Sequence, residues 1–277
     1  MSTFYRFPGG LRKALTLSYD DGVEQDVRLM EILDRFGIRC TFNLNSGCWA
    51  PEGTVYPAGQ IHRRMSKSQV EKVYANPNHE VAAHCLTHAS LTELSPAESA
   101  HEVLADRENL EAMFGGLVRG LAYPFGTYSD AVVEALKATG VAYARTVVST
   151  NDFTVPSDWL RLHPTCHHNA PNLPQLCDRF LNEPVPFGSR LFYLWGHSYE
   201  FESSDNWQVI EDFCAKMGGR DDIWYATNIE IVDYVNACRS ILTSADGKTL
   251  RNPTATTVWA DIDGKCVCIP AGETVRV

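Results

Sequence analysis

The order of strand-like and helix-like segments constrains the fold of this chain more than any other feature. From residue 14 to about residue 240, short apolar runs alternate with segments in which apolar residues recur at helical spacing. The first pair is the run 14–19 and a predicted helix from Val23 to Phe36, which Gly37 ends. This alternation is typical of a parallel sheet with crossover helices, and a barrel is the natural closure of such a sheet. We therefore predict an α/β barrel.

The remaining elements follow the same pattern. Further strands are predicted at 39–45, 80–84, 118–123, 142–148, 160–165, 191–196 and 223–226. Further helices are predicted at 95–114, 130–139, 173–181, 207–217 and 230–241. After Ser244 the pattern changes to short alternating strands separated by turn residues. We predict a barrel over residues 1–244 and a short β-rich appendage over residues 245–277. The loop 46–66 is too long for a simple connection and could cover one side of a site.

Composition excludes several classes of function. The net charge is -10 and no run of lysine or arginine occurs, which argues against nucleic-acid binding and favours a neutral or cationic substrate. The amino terminus lacks the apolar segment of a secretory signal, and no stretch is long enough to span a bilayer. We therefore predict a cytoplasmic protein without a membrane partner. The nine cysteines are scattered and odd in number, so we expect reduced thiols.

Two polar strand ends predict a metal site. The carboxyl ends of barrel strands converge on one mouth, and the first strand ends in Asp20-Asp21-Gly22. The third predicted strand leads into His84 and His88, whose spacing places two imidazoles on the same face of a helical turn. One carboxylate and two imidazoles would leave open positions for water and substrate. The competing interpretations are an ordinary turn at the aspartates and histidines that cap a helix.

Two further strand ends carry candidate functional groups. Tyr123-Pro-Phe-Gly126 ends the fourth strand, and Trp195-Gly-His197 ends a later one, where His197 is a candidate general acid. Three other histidines follow a strand and could line the pocket or form a second metal site: His163, His167 and His168. The thiols of Cys266 and Cys268 share one face of a strand, and we interpret them as packing residues.

Four motifs, taken in order, carry a family resemblance. They are Thr16-Leu-Ser-Tyr-Asp-Asp-Gly22, His84-x-x-x-His88, Tyr123-Pro-Phe-Gly126 and Leu194-Trp-Gly-His197. Over residues 12–240 the chain resembles polysaccharide deacetylases of the NodB-homology type, carbohydrate esterase family 4. The resemblance implies a distorted, TIM-like (β/α) barrel of seven or eight strands. It also implies a role for each matching position: Asp20 as base; Asp21, His84 and His88 as metal ligands; His197 as acid; and the Phe125 backbone N–H as an oxyanion donor.

The chain departs from the family pattern at several positions. Cys85 stands where the family usually has serine or threonine, which should leave the metal site little affected. Ala122 stands where the family commonly has an arginine that orients the base. Arg119 is expected to face the other side of the strand, whereas Arg145 on the next strand could substitute. The family's aspartate motif is matched only in part near Asp158, which we do not assign to orienting the acid.

The expected function is a metal-dependent hydrolase that removes an N-acetyl group from an amino sugar or an acetylated oligosaccharide. Tyr123, Phe125 and Trp195 are the predicted substrate-binding residues. The cofactor would be one divalent cation, with zinc favoured and cobalt, nickel, manganese or iron also compatible. The alternatives are hydrolysis of a non-sugar amide, cyclic imide or ureide on the same fold, and a carbohydrate-binding barrel without catalysis. The oligomeric state is left open.

Overall fold

The computed structural model describes residues 3–277. Its strands are β1 (Thr3–Arg6), β2 (Lys13–Asp20), β3 (Cys40–Leu44), β4 (Glu80–Ala83), β5 (Gly120–Ala122), β6 (Tyr143–Arg145), β7 (Cys166–His167), β8 (Arg190–Gly196), β9 (Ile223–Tyr225), β10 (Leu242–Thr243), β11 (Thr249–Arg251), β12 (Val258–Ile262), β13 (Lys265–Ile269) and β14 (Thr274–Arg276). Its α-helices are α1 (Asp26–Arg35), α2 (Lys67–Val73), α3 (Pro96–Phe114), α4 (Asp130–Lys137), α5 (Leu173–Asn182), α6 (Tyr199–Ser203), α7 (Gln208–Met217) and α8 (Asn228–Arg239).

Eight strands form one parallel sheet that curls into an incomplete barrel. The strand order is β6-β5-β4-β3-β2-β8-β7, and β9 pairs with the first half of β2. Every pairing in this sheet is parallel. The distorted barrel predicted from the sequence is therefore confirmed. Since β2 pairs with three neighbours, Asp20 at its carboxyl end lies at the centre of the mouth.

Burial explains why β2 occupies this central position. Residues 14–20 are all buried, as expected for a parallel strand with both faces covered. Leu15, Leu17 and Tyr19 belong to the main core, which also contains Phe42 of β3 and Phe192 of β8. The polar residue that follows this apolar run is therefore carried to the carboxyl edge of a well-packed sheet.

Helix α3 begins and ends where its sequence predicts. Ser95 and Glu98 form a reciprocal capping box in front of it, which supplies partners for two otherwise unpaired N–H groups. The helix ends at Gly115, whose φ of 71° is the left-handed conformation that glycine adopts most readily. This helix carries Asp106, which is buried behind the site.

The predicted strand at 160–165 is placed wrongly. A short 3-10 turn occupies Trp159–Arg161, and the strand that pairs with β8 is β7, at Cys166–His167. Pro164 has no N–H to donate to a neighbouring strand, so regular pairing begins only after it. Helices α2 and α6 were not predicted because both are too short to show helical periodicity.

The last 36 residues form two small antiparallel sheets. Strand β12 pairs with β13 and also with β1 near the amino terminus, so Phe4 lies opposite Asp261. The Asp261 carboxylate accepts hydrogen bonds from both Arg6 and Arg12. Strands β10, β11 and β14 form the other sheet. The domain boundary at residue 244 stays a prediction.

The cysteines and the helices were also compared with the expectations of reduced thiols and of no membrane span. The nine cysteines, all within the described residues, are free thiols. Among residues 3–277, no helix combines the length and apolar character needed to cross a membrane.

The central position of β2 predicts an unequal response to two leucine truncations. Leu17→Ala would leave a cavity in the core, and we expect it to lower the free energy of unfolding by about 2–5 kcal/mol. Leu104→Ala, at a position 46% exposed on α3, should change it by less than about 1 kcal/mol. Urea denaturation followed by circular dichroism measures both values, and equal losses would contradict the packing described here.

Candidate active site

One cavity at the mouth of the barrel collects the predicted site residues. Its volume is about 460 Å³, within the range of small-molecule sites. All eight residues singled out from the sequence line it: Asp20, Asp21, His84, His88, Tyr123, Phe125, Trp195 and His197. Their sequence separation shows that the convergence of strand ends, not local chain proximity, assembles the site.

Asp21, His84 and His88 form a donor set that suits a divalent cation. One potential ligand atom from each lies within 4.8 Å of the others. The Nδ1 of His84 is 2.8 Å from the carbonyl oxygen of Ala122, so the proton is assigned to Nδ1 and the Nε2 lone pair is free. Burial lowers the pKa of His84 to about 4 and also lowers the pKa of His88. Both imidazoles are therefore neutral near pH 7, as metal coordination requires.

A turn that contains two residues with left-handed backbone conformation brings the two histidines together. The helical turn that we predicted from their spacing is therefore wrong. Cys85 and His88 have φ values of 65° and 59°, and the two imidazole centres are 4.8 Å apart. Asp21 and Phe125, also at the cavity, have φ values of 86° and 58°. Four of the seven non-glycine residues with positive φ among residues 3–277 thus surround one site. Such strain persists only where surrounding contacts enforce it.

Arg145 takes the place of the arginine that is missing at position 122. Its guanidinium is fully buried, donates to Oδ2 of Asp20, and lies over the Trp195 ring at 4.5 Å. The other carboxylate oxygen of Asp20 accepts from Asn43 at 2.8 Å. Burial would raise the pKa of Asp20, but Arg145, His84 and His197 lower it overall, so the carboxylate is ionised.

His197 lies between two carboxylates. Its Nε2 is 3.7 Å from Oδ2 of Asp20, and its Nδ1 is 3.3 Å from Oε1 of Glu200 on α6. Burial lowers the pKa of His197, but the Glu200 hydrogen bond and the aspartate charges raise it above its usual value. The protonated imidazolium, which a general acid needs, is therefore favoured.

Glu200 is itself held by two more histidines. The Nε2 atoms of His167 and His168 both lie 3.0 Å from its Oε2. The Nδ1 of His167 accepts from the Asn169 N–H, which assigns the proton to Nε2 and lets that atom donate to Glu200. His167, His197 and Glu200 also lie close enough to hold a cation, a different set from the three histidines that the sequence suggested. The distances place three imidazole nitrogens around the Glu200 carboxylate.

The predicted substrate-binding residues differ in what they can offer. Tyr123 is buried, and its hydroxyl donates to the carbonyl oxygen of Leu160 at 2.8 Å, so only its ring lines the cavity. Phe125 is 65% exposed and packs edge-on against His88. The indole N–H of Trp195 is buried without a hydrogen-bond partner in the described part of the chain. Phe125 and Trp195 are thus the two available to contact a bound molecule.

Other residues considered from the sequence lie away from the mouth. Arg119 pairs with Asp233 on the outer surface, and Asp158 pairs with Arg161, as the sequence interpretation implied. The Nδ1 of His163 is 2.6 Å from the Thr146 hydroxyl in a neighbouring cavity.

Sequence reasoning missed Glu200 and Arg64, which both contact site residues. Glu200 had a detectable signal, since a carboxylate three residues after a histidine at a helix start can reach its ring. Arg64 had none, because it lies in a long loop whose path the sequence does not reveal.

The chain is similar to a known protein family over part of its length. The family model for polysaccharide deacetylase matches residues 8–144. A chitooligosaccharide deacetylase of Rhizobium leguminosarum bv. phaseoli is 27% identical over 157 residues, which are 56% of this chain and 60% of that protein. The chain therefore spans less than two thirds of this relative's length.

Two solved structures share the fold. A protein assigned to the polysaccharide deacetylases of Mycobacterium smegmatis superposes with a TM-score of 0.60 and 17% identity, covering 86% of this chain and 95% of its own. The second is the Xyl-CE4 domain of a multidomain xylanase from the hindgut metagenome of Trinervitermes trinervoides. It superposes with a TM-score of 0.51 and 14% identity, covering 82% of this chain and 92% of its own. The chain is similar to the polysaccharide deacetylases over residues 8–144 and shares the fold of these two structures.

The buried Asp20–Arg145 pair predicts that removing the arginine destabilises the protein and that neutralising the aspartate partly restores its stability. Arg145→Met would leave a buried carboxylate unpaired, and we expect a loss of about 3–5 kcal/mol in the free energy of unfolding. Adding Asp20→Asn should restore part of it, because the buried carboxylate left unpaired by the first change is then neutral. Arg119→Met, at a half-exposed ion pair, should cost less than about 1 kcal/mol. Urea denaturation of all three variants checks this, and a double variant no more stable than Arg145→Met would contradict it.

Glu200 predicts a shift in pH dependence. Because its negative charge favours the imidazolium, Glu200→Gln should lower the pKa of His197. An acid is active only when protonated, so the alkaline limb of kcat/KM should move to lower pH, by about 1–3 units. The control is Glu202→Gln, which alters a neighbouring α6 carboxylate bonded to Arg63 and Gln25. If both variants have the wild-type alkaline limb, Glu200 does not set this pKa.

Proposed function

We propose that this protein is a metal-dependent hydrolase that removes the N-acetyl group from an amino sugar or an acetylated oligosaccharide. The similarity to the polysaccharide deacetylase family model and to a chitooligosaccharide deacetylase supports carbohydrate deacetylation. The observation that carries the metal-dependent mechanism is the arrangement of Asp21, His84 and His88 beside Asp20 and His197 in one cavity. The donor set, one base and one acid are the groups that hydrolysis of an amide requires.

The donor set fits a divalent cation on chemical grounds. Asp21 is ionised, because His62 and Arg64 lower its pKa although burial opposes this. The neutral imidazoles of His84 and His88 complete a set of one oxygen and two nitrogen ligands, which is the composition of several hydrolytic zinc sites. A cation bound there would polarise the acetyl carbonyl and make a water molecule more acidic. We propose zinc, with cobalt, nickel, manganese or iron as alternatives.

Asp20 is the proposed base. It precedes the ligand Asp21 in sequence, and its carboxylate faces the cavity between His84 and His197. In the proposed reaction Asp20 accepts a proton from the water whose oxygen attacks the acetyl carbon. Arg145 and Asn43 each hold one oxygen of Asp20, which fixes the orientation of the carboxylate before the substrate binds.

His197 is the proposed acid. It donates its Nε2 proton to the amine nitrogen as the carbon–nitrogen bond breaks, so that acetate and a free amine leave. The negative charge of Glu200 on the opposite side of the ring favours the protonated imidazole before this transfer. The backbone N–H of Phe125 is the proposed donor to the negative charge that develops on the carbonyl oxygen.

The aromatic side chains around the mouth support a sugar substrate. Phe125 is exposed beside His88, and the rings of His62 and Tyr199 meet edge to face at 4.9 Å. Flat apolar ring faces next to polar groups suit the mixed surface of a sugar. The cytoplasmic location stays a prediction; in that compartment a small acetylated sugar would be a more plausible substrate than an extracellular polymer.

Acetate release from a substrate panel tests the proposal. Protein loaded with zinc is assayed against N-acetylated amino sugars and oligosaccharides, and against non-sugar amides, cyclic imides and ureides. We expect turnover of the first group only, measured as acetate release; loss of the parent compound measures turnover of the cyclic imides and ureides, which yield no acetate. Asp20→Asn preserves the volume of the side chain and the three proposed ligands, and it should lower kcat by about 10²–10⁴-fold with metal content unchanged. His88→Ala should instead lose the metal.

Three outcomes would refute parts of this proposal. Turnover of cyclic imides or ureides alone would refute the proposed sugar substrate but not the proposed metal site. Wild-type turnover by Asp20→Asn would remove Asp20 as the base. Carbohydrate binding without any acetate release would indicate a barrel that lacks catalysis.

A further inference from the structure

A segment of the long loop 46–66 pairs with the backbone that follows Asp21. We refer to residues 62–65 as the strap. The Met65 N–H donates to the carbonyl oxygen of Gly22 at 3.0 Å, and the Glu24 N–H donates to that of Arg63 at 2.8 Å. Val23 and Arg64 form an antiparallel bridge between these bonds. The strap is therefore held by backbone pairing directly beside Asp21.

The side chain of Arg64 binds both the carboxylate and the backbone of Asp21. Its Nη2 donates to Oδ1 of Asp21 at 2.9 Å, and its Nη1 donates to the Asp21 carbonyl oxygen. Asp21 has a φ of 86°, a conformation that costs a non-glycine residue free energy. One guanidinium thus fixes the strained backbone and the carboxylate that it presents. The planar fork of arginine makes this double contact possible.

The same guanidinium is connected through Asn45 to the backbone that carries His84. Nη1 of Arg64 also donates to Oδ1 of Asn45, at 2.6 Å. The Asn45 side-chain amide, which is buried, donates in turn to the carbonyl oxygens of His84 and Cys85. Cys85, with a φ of 65°, is the first left-handed residue of the turn that carries His88.

These contacts connect two strand ends that are not neighbours. Asp21 follows β2 and His84 follows β4, while Asn45 follows β3, the strand that lies between them. Arg64 and Asn45 therefore span the gap across which the proposed metal ligands must meet. We infer that they are positioning residues that set the geometry of the donor set, so that the strap controls the affinity of the proposed metal site.

A purely electrostatic role for Arg64 makes the opposite prediction. A guanidinium 2.9 Å from a ligand oxygen repels a bound cation, so on charge alone its removal would tighten metal binding. If Arg64 positions the ligands, its removal weakens binding, because the carboxylate and the strained turn are no longer held. The sign of the change in affinity therefore distinguishes the two roles.

The test measures zinc affinity directly, by competition with a chromogenic chelator. The inference rests on the proposed metal site, so zinc binding by the wild-type chain is measured first. Arg64→Ala and Asn45→Ala are each expected to weaken zinc binding by about 10–100-fold. Arg64→Lys, which keeps the charge but loses the fork, should also weaken it. In the double variant the two losses should not add, since both residues act through one hydrogen-bonded connection.

Arg63→Ala is the matched control on the strap. Arg63 bonds to Glu24 and Glu202 and makes no hydrogen bond to Asp21 in the described structure. It should retain wild-type zinc affinity. The unfolding temperature of each metal-free variant shows whether it folds. If Arg64→Ala does not fold, Arg64→Lys takes its place in the comparison.

The outcomes separate the inference from the proposed function. Tighter or unchanged zinc binding by Arg64→Ala and Arg64→Lys would overturn the positioning role. An equal loss in Arg63→Ala would overturn it as well, because the effect would then belong to the strap backbone. If the folded wild-type chain binds no zinc or other divalent cation, the proposed metal site is refuted and the inference with it.

Discussion

The pairing of two adjacent buried carboxylates with two arginines is the constraint on which the rest of the site depends. Asp20 and Asp21 are 2% and 5% exposed, and two unpaired charges at such depth would be strongly destabilising. Arg145 reaches Asp20 from β6, and Arg64 reaches Asp21 from the strap. Each pairing closes a long stretch of chain around the end of β2. The compensation of charge and the assembly of the cavity are therefore parts of one arrangement.

This arrangement gives the two aspartates different environments. Asp20 is held by Arg145 and Asn43 and faces His197, whereas Asp21 is held by Arg64 and His62 and faces His88. Neighbouring carboxylates can thus serve as base and as metal ligand without exchanging roles. An extended backbone would point successive side chains to opposite faces, whereas Asp21, with a φ of 86°, lines the same cavity as Asp20.

The sequence predicts the fold and the primary site because both depend on local signals. Apolar periodicity locates the strands and helices, and polar residues at strand ends locate the mouth, so Asp20, His84 and His197 are found together. The supporting contacts are not local: Arg145 lies 125 residues from Asp20, and Arg64 lies 43 residues from Asp21. The family resemblance raised Arg145 as a candidate partner of Asp20, but no periodicity or spacing indicates either pair. The left-handed turn at Cys85 was missed because residue spacing alone does not specify backbone φ.

We propose that one divalent cation, held by Asp21, His84 and His88, is required for deacetylation. Stepwise addition of zinc to metal-free protein, with bound metal and acetate release measured in the same samples, tests it most directly. We predict that bound zinc and acetate release rise together and stop rising at one equivalent of zinc per chain. Full acetate release by protein that elemental analysis shows to be free of metal would contradict it.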